Sequence, residues 1–209
     1  MTACRLCHLE VHPFITVDAI SYWACSNCGL LFMDAAHLPL PDQEKTHYDS
    51  HENNTDDQGY RNFLSRLAHP LMARLTAPQT ILDFGAGPGP ALAQMMAEHG
   101  HDVSIYDPFY HDDKTSLQRH YDVITATEVI EHFHTPRKMF DQLYDLLNQG
   151  GTLAVMTLLQ DDDAAFATWH YRRDPTHVAF YREETFSWIA DHYGYYLTRP
   201  HPNVAFFQK

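Results

Sequence analysis

The sequence predicts an α/β fold: a doubly wound, mostly parallel sheet with an antiparallel C-terminal strand, joined to a small N-terminal module. Three observations predict it. From about residue 79 onward, strand-like and helix-like patterns alternate, which implies a mostly parallel sheet covered on both faces. A glycine-rich run, Gly85-Ala86-Gly87-Pro88-Gly89, follows the first apolar strand, where sheets of this kind take their ligands. All four cysteines lie in the first 28 residues, outside that alternation.

The elements follow in order. Thr80-Ile81-Leu82-Asp83-Phe84 reads as a short buried strand, and 90–99 as a helix stopped by Gly100. Strands are expected at 102–107 and 121–126. A helix at 136–147 turns Met139, Phe140, Leu143, Leu146 and Leu147 inward and ends in Asn148-Gln149-Gly150-Gly151. A strand at 152–159, a helix at 184–192 and a strand pair at 195–198 and 204–207 complete the pattern. Upstream, 42–59 is charged and His-rich (His47-Tyr48-Asp49-Ser50-His51-Glu52), and is expected to be a loop or a mobile lid. From Tyr60, the spacing of Phe63, Leu64, Leu67, Leu71 and Leu75 predicts an amphipathic helix that Pro70 breaks or restarts. The expected division is 1–38 for the cysteine module, 39–78 for the lid and helix, and 79–209 for the sheet domain.

The 209 residues suit one domain plus a small appendage. A net charge of -13 argues against nucleic acid or an anionic membrane as partner. No apolar run approaches the ~20 residues that span a bilayer. The start, Met1-Thr2-Ala3-Cys4-Arg5, does not read as a secretory signal. A cytoplasmic location, with reduced thiols, is the expectation.

The cysteines form Cys4-x-x-Cys7 and Cys25-x-x-Cys28. Two residues between thiolates let one tight turn offer both sulfurs to one ion, and two such turns close a tetrahedral site. Gly29 follows the second pair, where a left-handed residue is often needed. Val11, Phe14, Ile15, Val17, Ile20, Tyr22 and Trp23 suggest a hairpin between the pairs. The pattern resembles a zinc ribbon, with Cys4, Cys7, Cys25 and Cys28 as ligands of a structural zinc. Two disulfides would need an oxidising compartment. A redox dithiol would not need its duplicate. His8 and His12 are unnecessary beside a complete set of four sulfurs.

The loop Gly85-Ala86-Gly87-Pro88-Gly89 lets backbone approach a ligand. Its spacing is G-x-G-x-G, and Pro90 stands where a dinucleotide-binding loop has its third glycine. Asp83 precedes the loop and suits a cationic amino group, whereas it would repel a pyrophosphate. Asp107 ends the second strand, where a carboxylate can accept both hydroxyls of a ribose. Together these choose S-adenosylmethionine over a nicotinamide dinucleotide.

These residues resemble the class I S-adenosylmethionine-dependent methyltransferases, which have a Rossmann-like fold. The family's strand-one motif falls on Asp83, Gly85, Gly87 and Gly89, its ribose acid on Asp107, and its Gly-Gly turn on Gly150-Gly151. Its strand-four segment resembles 121–132, which puts Thr127 and Glu128 beside the cofactor. The likeness is greatest to the small-molecule branch that includes ubiquinone-biosynthesis O-methyltransferases. One departure stands out. Only 13 residues separate Asp107 from Tyr121, where the family fits a helix and a third strand. That strand is expected to be reduced or missing, with Asp107, Pro108 and Phe109 forming much of the adenine pocket.

Methyl transfer is an in-line displacement at a sulfonium, and a hydroxyl acceptor benefits from a base. Glu128, Glu131 and His132 stand at i, i+3 and i+4, so a helical turn would put them on one face. They either cap and orient a helix, supply a base, or bind a divalent metal, as the resembling branch implies. The segment 169–180 holds His170 and His177 among aromatics that can wall an acceptor. The resemblance favours His177 as base. The expected function is methyl transfer to a small-molecule acceptor, on oxygen. The alternative is a noncatalytic protein of this fold that binds a partner through its cysteine module, and that module also offers a homodimer contact.

Overall fold

A computed structural model describes residues 2–50 and 54–209 of the chain. In chain order the elements are β1 (His12–Val17), β2 (Ile20–Ala24), β3 (Leu31–Met33), α1 (Pro41–Tyr48), α2 (Gln58–Met72), β4 (Thr80–Phe84), α3 (Ala91–Glu98) and β5 (Asp102–Tyr106). They continue with β6 (Tyr121–Thr127), α4 (Pro136–Leu146), β7 (Leu147–Met156), β8 (Ala179–Phe180), α5 (Glu183–Tyr193), β9 (Tyr196–His201) and β10 (Val204–Gln208). The main sheet has the order β5-β4-β6-β7-β10-β9. β5, β4, β6 and β7 are parallel, and β10 runs antiparallel to both β7 and β9. The expected α/β class, the parallel sheet and its antiparallel end are all present.

Side-chain alternation divides the core. Ile81, Val123, Ala154 and Phe206 face α2 and α3, against Leu64, Leu67, Leu71, Met95 and Met96. Their neighbours Leu82, Ile124, Leu153, Val155 and Phe207 face the other way, against Phe140, Leu143, Phe186 and Ile189 of α4 and α5. Each such side chain stabilises the fold by about 1.5–3 kcal/mol when fully buried. Both faces of the sheet are thus covered, and the C-terminal strand ends remain for a site.

Three expectations are corrected. The polar stretch is not all loop, because 41–48 is α1, started by Pro41 at its first turn; His51 and Glu52 lie outside the described residues, as does Met1. Pro70 does not break α2, which runs on to Met72. The proline sits in the last turn, so only one internal hydrogen bond near the end is lost. Glu128, Glu131 and His132 do not share a helical face. Glu128 has φ 53, and only a single short turn, Ile130–His132, follows. The interval after β5 holds one short turn, Lys114–Gln118, and no strand, so β5 is the sheet edge.

The cysteine module is a second sheet, β1-β2-β3-β8. β1 and β2 form a hairpin whose turn, Asp18-Ala19, has φ 52 and φ 66, the mirror-image turn that matches strand twist. Its last strand, β8, comes from the far side of the sequence and pairs with β3. Tyr22, Leu31 and Met33 pack with Phe166, Tyr171, Val178 and Phe180. Cys4, Cys28 and Phe32 join the main core beside Phe140 and Phe186. No helix among the described residues is long and apolar enough to cross a membrane.

Candidate functional site

The cofactor end is built at the tips of β4, β5 and β6. Asp83, near the end of β4, is buried and accepts a hydrogen bond from the Thr125 hydroxyl at 2.7 Å. Burial pushes its carboxyl up to about 6, with the Asp107 charge adding to the rise and the Thr125 bond opposing it. The loop then turns at Gly85, φ 76, where a Cβ would come within 2.4 Å of the Val129 side chain. Only glycine fits there. Gly85 and Ala86 donate backbone N–H groups to the Tyr106 carbonyl. Gly87, φ 64, donates its N–H to Asp107 at 3.0 Å. Asp107 also accepts from the backbone of Phe109 at 2.8 Å and Tyr110 at 3.1 Å. Asp107 therefore clasps the glycine loop to its own loop, which carries Pro108. Gly89 closes the turn into α3, its carbonyl accepting from Ala91. Thr127 and Glu128 end β6, and each leaves one buried oxygen without a partner in the structure.

A second cluster, the one expected to face an acceptor, gathers three segments. Glu131, fully buried, accepts from the Thr157 hydroxyl at 3.0 Å and the Tyr171 hydroxyl at 2.5 Å. Tyr171 also reaches Glu128 at 3.1 Å. Burial raises the Glu128 carboxyl to about 7 and the Glu131 carboxyl well above its usual range. One phenolic proton between two carboxylates cannot satisfy both, and the nearby Glu128 charge adds to the rise at Glu131. His132 donates Nδ1–H to the Thr176 carbonyl at 3.0 Å, and His177 donates its own to the Tyr171 carbonyl at 2.7 Å. Each bond leaves Nε2 as the atom with a lone pair. The rings lie 4.8 Å apart. Burial pulls His132 down to about 3, and a proton on His177 would add to the fall, so His132 stays neutral. Asp174 stands 3.8 Å from His177 Nε2. Although burial raises it, hydrogen bonds from Thr176 and the nearby imidazole of His177 bring its carboxyl to about 2.

Glu131, His132 and His177 each offer one ligand-type atom, all within 4.8 Å of one another. They are close enough to share a proton or a cation. Of the two histidines weighed as base, His177 joins this group and His170 lies exposed on the surface. Sequence reasoning missed Thr157, Tyr171 as a hydrogen-bond hub, and Tyr48. Tyr48 reaches the site from α1, with its ring 5.3 Å from His132. None of these has a local motif; the fold alone brings them in.

In the cysteine module all four sulfurs lie within 4.8 Å, with Cys4–Cys28 at 3.5 Å and Cys7–Cys25 at 3.3 Å. Thiolates on one zinc stand about 3.8 Å apart, given ~2.3 Å bonds and tetrahedral angles. The two turns repeat each other. Cys4 N–H donates to Leu9 and His8 N–H to Cys4; Cys25 N–H donates to Leu30 and Gly29 N–H to Cys25. The residue after each pair is left-handed, His8 at φ 62 and Gly29 at φ 72. All four cysteines are free of disulfides. The donor set fits one soft divalent ion.

The profile of the methyltransferase-domain family matches residues 56–199. The chain belongs to that family. The fold of this methyltransferase is shared with solved structures of low identity. An O-methyltransferase family protein from Burkholderia thailandensis superposes with TM-score 0.52 at 16% identity, over 84% of this chain and 65% of that one. The 1,6-didemethyltoxoflavin-N1-methyltransferase of the same organism, solved with its substrate and S-adenosylhomocysteine, gives TM-score 0.55 at 15% identity, over 95% and 99%. CalO1, a methyltransferase of calicheamicin biosynthesis in an S-adenosylhomocysteine-bound form, gives 0.51 at 12%, over 79% and 56%. The methyltransferase thus spans less than two thirds of the length of the first and third of these. No protein of curated function matches the sequence.

Proposed function

We propose that this methyltransferase moves the methyl group of S-adenosylmethionine to an oxygen of a small-molecule acceptor. The observation that carries the reading is one continuous set of contacts. It runs from the Asp83–Gly89 loop, closed by Asp107, through Phe109 and Tyr48 to the rings of His132 and His177. Asp83, buried without a cation, suits the cofactor's ammonium group, and Glu128 offers a second acceptor nearby. Asp107, with Pro108 beside it, suits the ribose. S-adenosylmethionine supplies, when bound, an electrophilic methyl on a sulfonium.

The chain's own groups handle the proton. His177 Nε2 takes it from the acceptor hydroxyl as the new oxygen–carbon bond forms, and the charge that develops on the ring is stabilised by Asp174, 3.8 Å away. The Tyr171 carbonyl holds the ring in the required tautomer. Neutral His132 and Glu131 border the same space. The four cysteines are assigned a structural zinc, and with four sulfurs bound no open position remains for chemistry there. The boundaries 1–38, 39–78 and 79–209 remain our division of the chain.

The test is a screen of phenols, sugars and quinol precursors with methyl-labelled cofactor. Label in an O-methyl product, lost in His177→Ala, is the expected result. Turnover unchanged in that variant would remove His177 as base. A product methylated only at nitrogen or carbon would overturn the oxygen assignment.

A further inference from the structure

α1 is too short, at 8 residues, to be helical on its own strength. Its sole buried residue is Glu44, so no apolar core face holds it. Side chains hold it instead, and they reach three separate loops. Glu44 pairs with His134 Nε2 at 2.9 Å, just beyond His132. His47 pairs with Asp174 at 3.0 Å, three residues before His177. Asp49 accepts from the Tyr110 hydroxyl at 2.7 Å, and Lys45 lies over the Tyr110 ring. Tyr110 belongs to the loop clasped by Asp107. At the centre is Tyr48, edge-on to Phe109 at 5.5 Å and to His132 at 5.3 Å. One ring therefore touches both the cofactor loop and the acceptor histidines.

We infer that Tyr48 is a positioning residue that couples the two ends of the site: when the cofactor orders the 107–110 loop, Phe109 seats Tyr48, and Tyr48 sets the ring of His132 beside His177. The inference rests on the proposed cofactor reading. It assigns α1 a role beyond covering the site. The acceptor end is thereby tied to the cofactor loop, so that occupancy of one end is felt at the other.

The experiment uses S-adenosylhomocysteine as probe on the full chain, with calorimetric titration and hydrogen exchange. In the wild type, saturation is expected to slow exchange in 129–134 and 171–177, because the Tyr48 ring meets both Phe109 and His132. Tyr48→Phe keeps both ring contacts, loses only the hydroxyl's bond with Thr176, and should still show the protection. Tyr48→Ala loses two edge-on ring contacts, so the probe should bind at least about fivefold more weakly. At saturation it should show none of the added protection of either acceptor segment that the wild type gains. If that variant does not fold, Tyr48→Leu carries the same test, since it keeps bulk and loses the ring. Equal protection of 171–177 in the Ala or Leu variant overturns the coupling, as does wild-type binding without protection of either segment. A wild-type chain that binds no S-adenosylhomocysteine fails the cofactor reading itself, and this outcome is distinct because no heat is seen.

Discussion

The two ends of the site are built from different materials. The cofactor end is mostly backbone: glycines at positive φ, peptide N–H groups and one clasping carboxylate, all from 83–110. The acceptor end is mostly buried side chains, and Glu131 and His132 are held by partners from other segments. Glu131 depends on Thr157 and Tyr171, His132 on Thr176, and His177 on Tyr171. Val178 N–H donates to the Glu131 carbonyl, and the Val178 carbonyl accepts from Met33 in the cysteine module. The acceptor end therefore leans on β3, while the cofactor end does not. A local loop survives damage elsewhere, whereas a site assembled from distant segments inherits the stability of each.

Breaking the module tests that difference most severely. Cys28→Ser should lower bound zinc from about one ion per chain, by elemental analysis, and drop the thermal midpoint by about 10 °C. In the protein that stays folded, methyl transfer should fall far more than affinity for S-adenosylhomocysteine. Equal losses at both ends would erase the distinction. At the acceptor end alone, His177→Ala should cut turnover by about 10²–10⁴-fold, with calorimetric affinity for S-adenosylhomocysteine unchanged. At the cofactor end alone, Asp107→Ala should weaken that affinity by about 10–100-fold, since it unclasps Gly87 as well as removing the ribose partner.

The smallest effect is a proton. Burial disfavours the charge of Asp83 and pushes its carboxyl up to about 6. The raised value means the folded state binds more protons than the unfolded state between about 4 and 6, so this group's contribution to stability is present at low pH and lost as pH rises through that range. A bound ammonium would favour the carboxylate and pull the value back down. Binding of S-adenosylhomocysteine near pH 6 should therefore release up to about one proton, seen as heats that differ between buffers of unlike ionisation enthalpy. Asp83→Asn should abolish the difference.

The contrast also explains what could be read in the sequence. Asp83, the glycines and Asp107 were legible because their roles depend on spacing within short strand-and-loop units. The cysteine pairs were legible for the same reason. The reduced or missing strand after β5 is legible because too few residues lie between Asp107 and Tyr121 to build one. α1 was read as loop because its anchoring contacts, to His134, Asp174 and Tyr110, lie 60 to more than 120 residues away. Sequence separation likewise hides Tyr48, and Thr157 and Tyr171, which meet Glu131 from 26 and 40 residues away. Glu128 was misplaced on a helical face because the left-handed backbone at its position has no sequence signature in a glutamate.

The central claim is that the Asp83–Gly89 loop and Asp107 hold S-adenosylmethionine. Calorimetric titration of the purified chain with S-adenosylhomocysteine and, separately, with NAD tests it most directly. Saturable heat with S-adenosylhomocysteine, weakened in Asp107→Ala, and none with NAD is the predicted result. Clear heat with NAD and none with S-adenosylhomocysteine would contradict it.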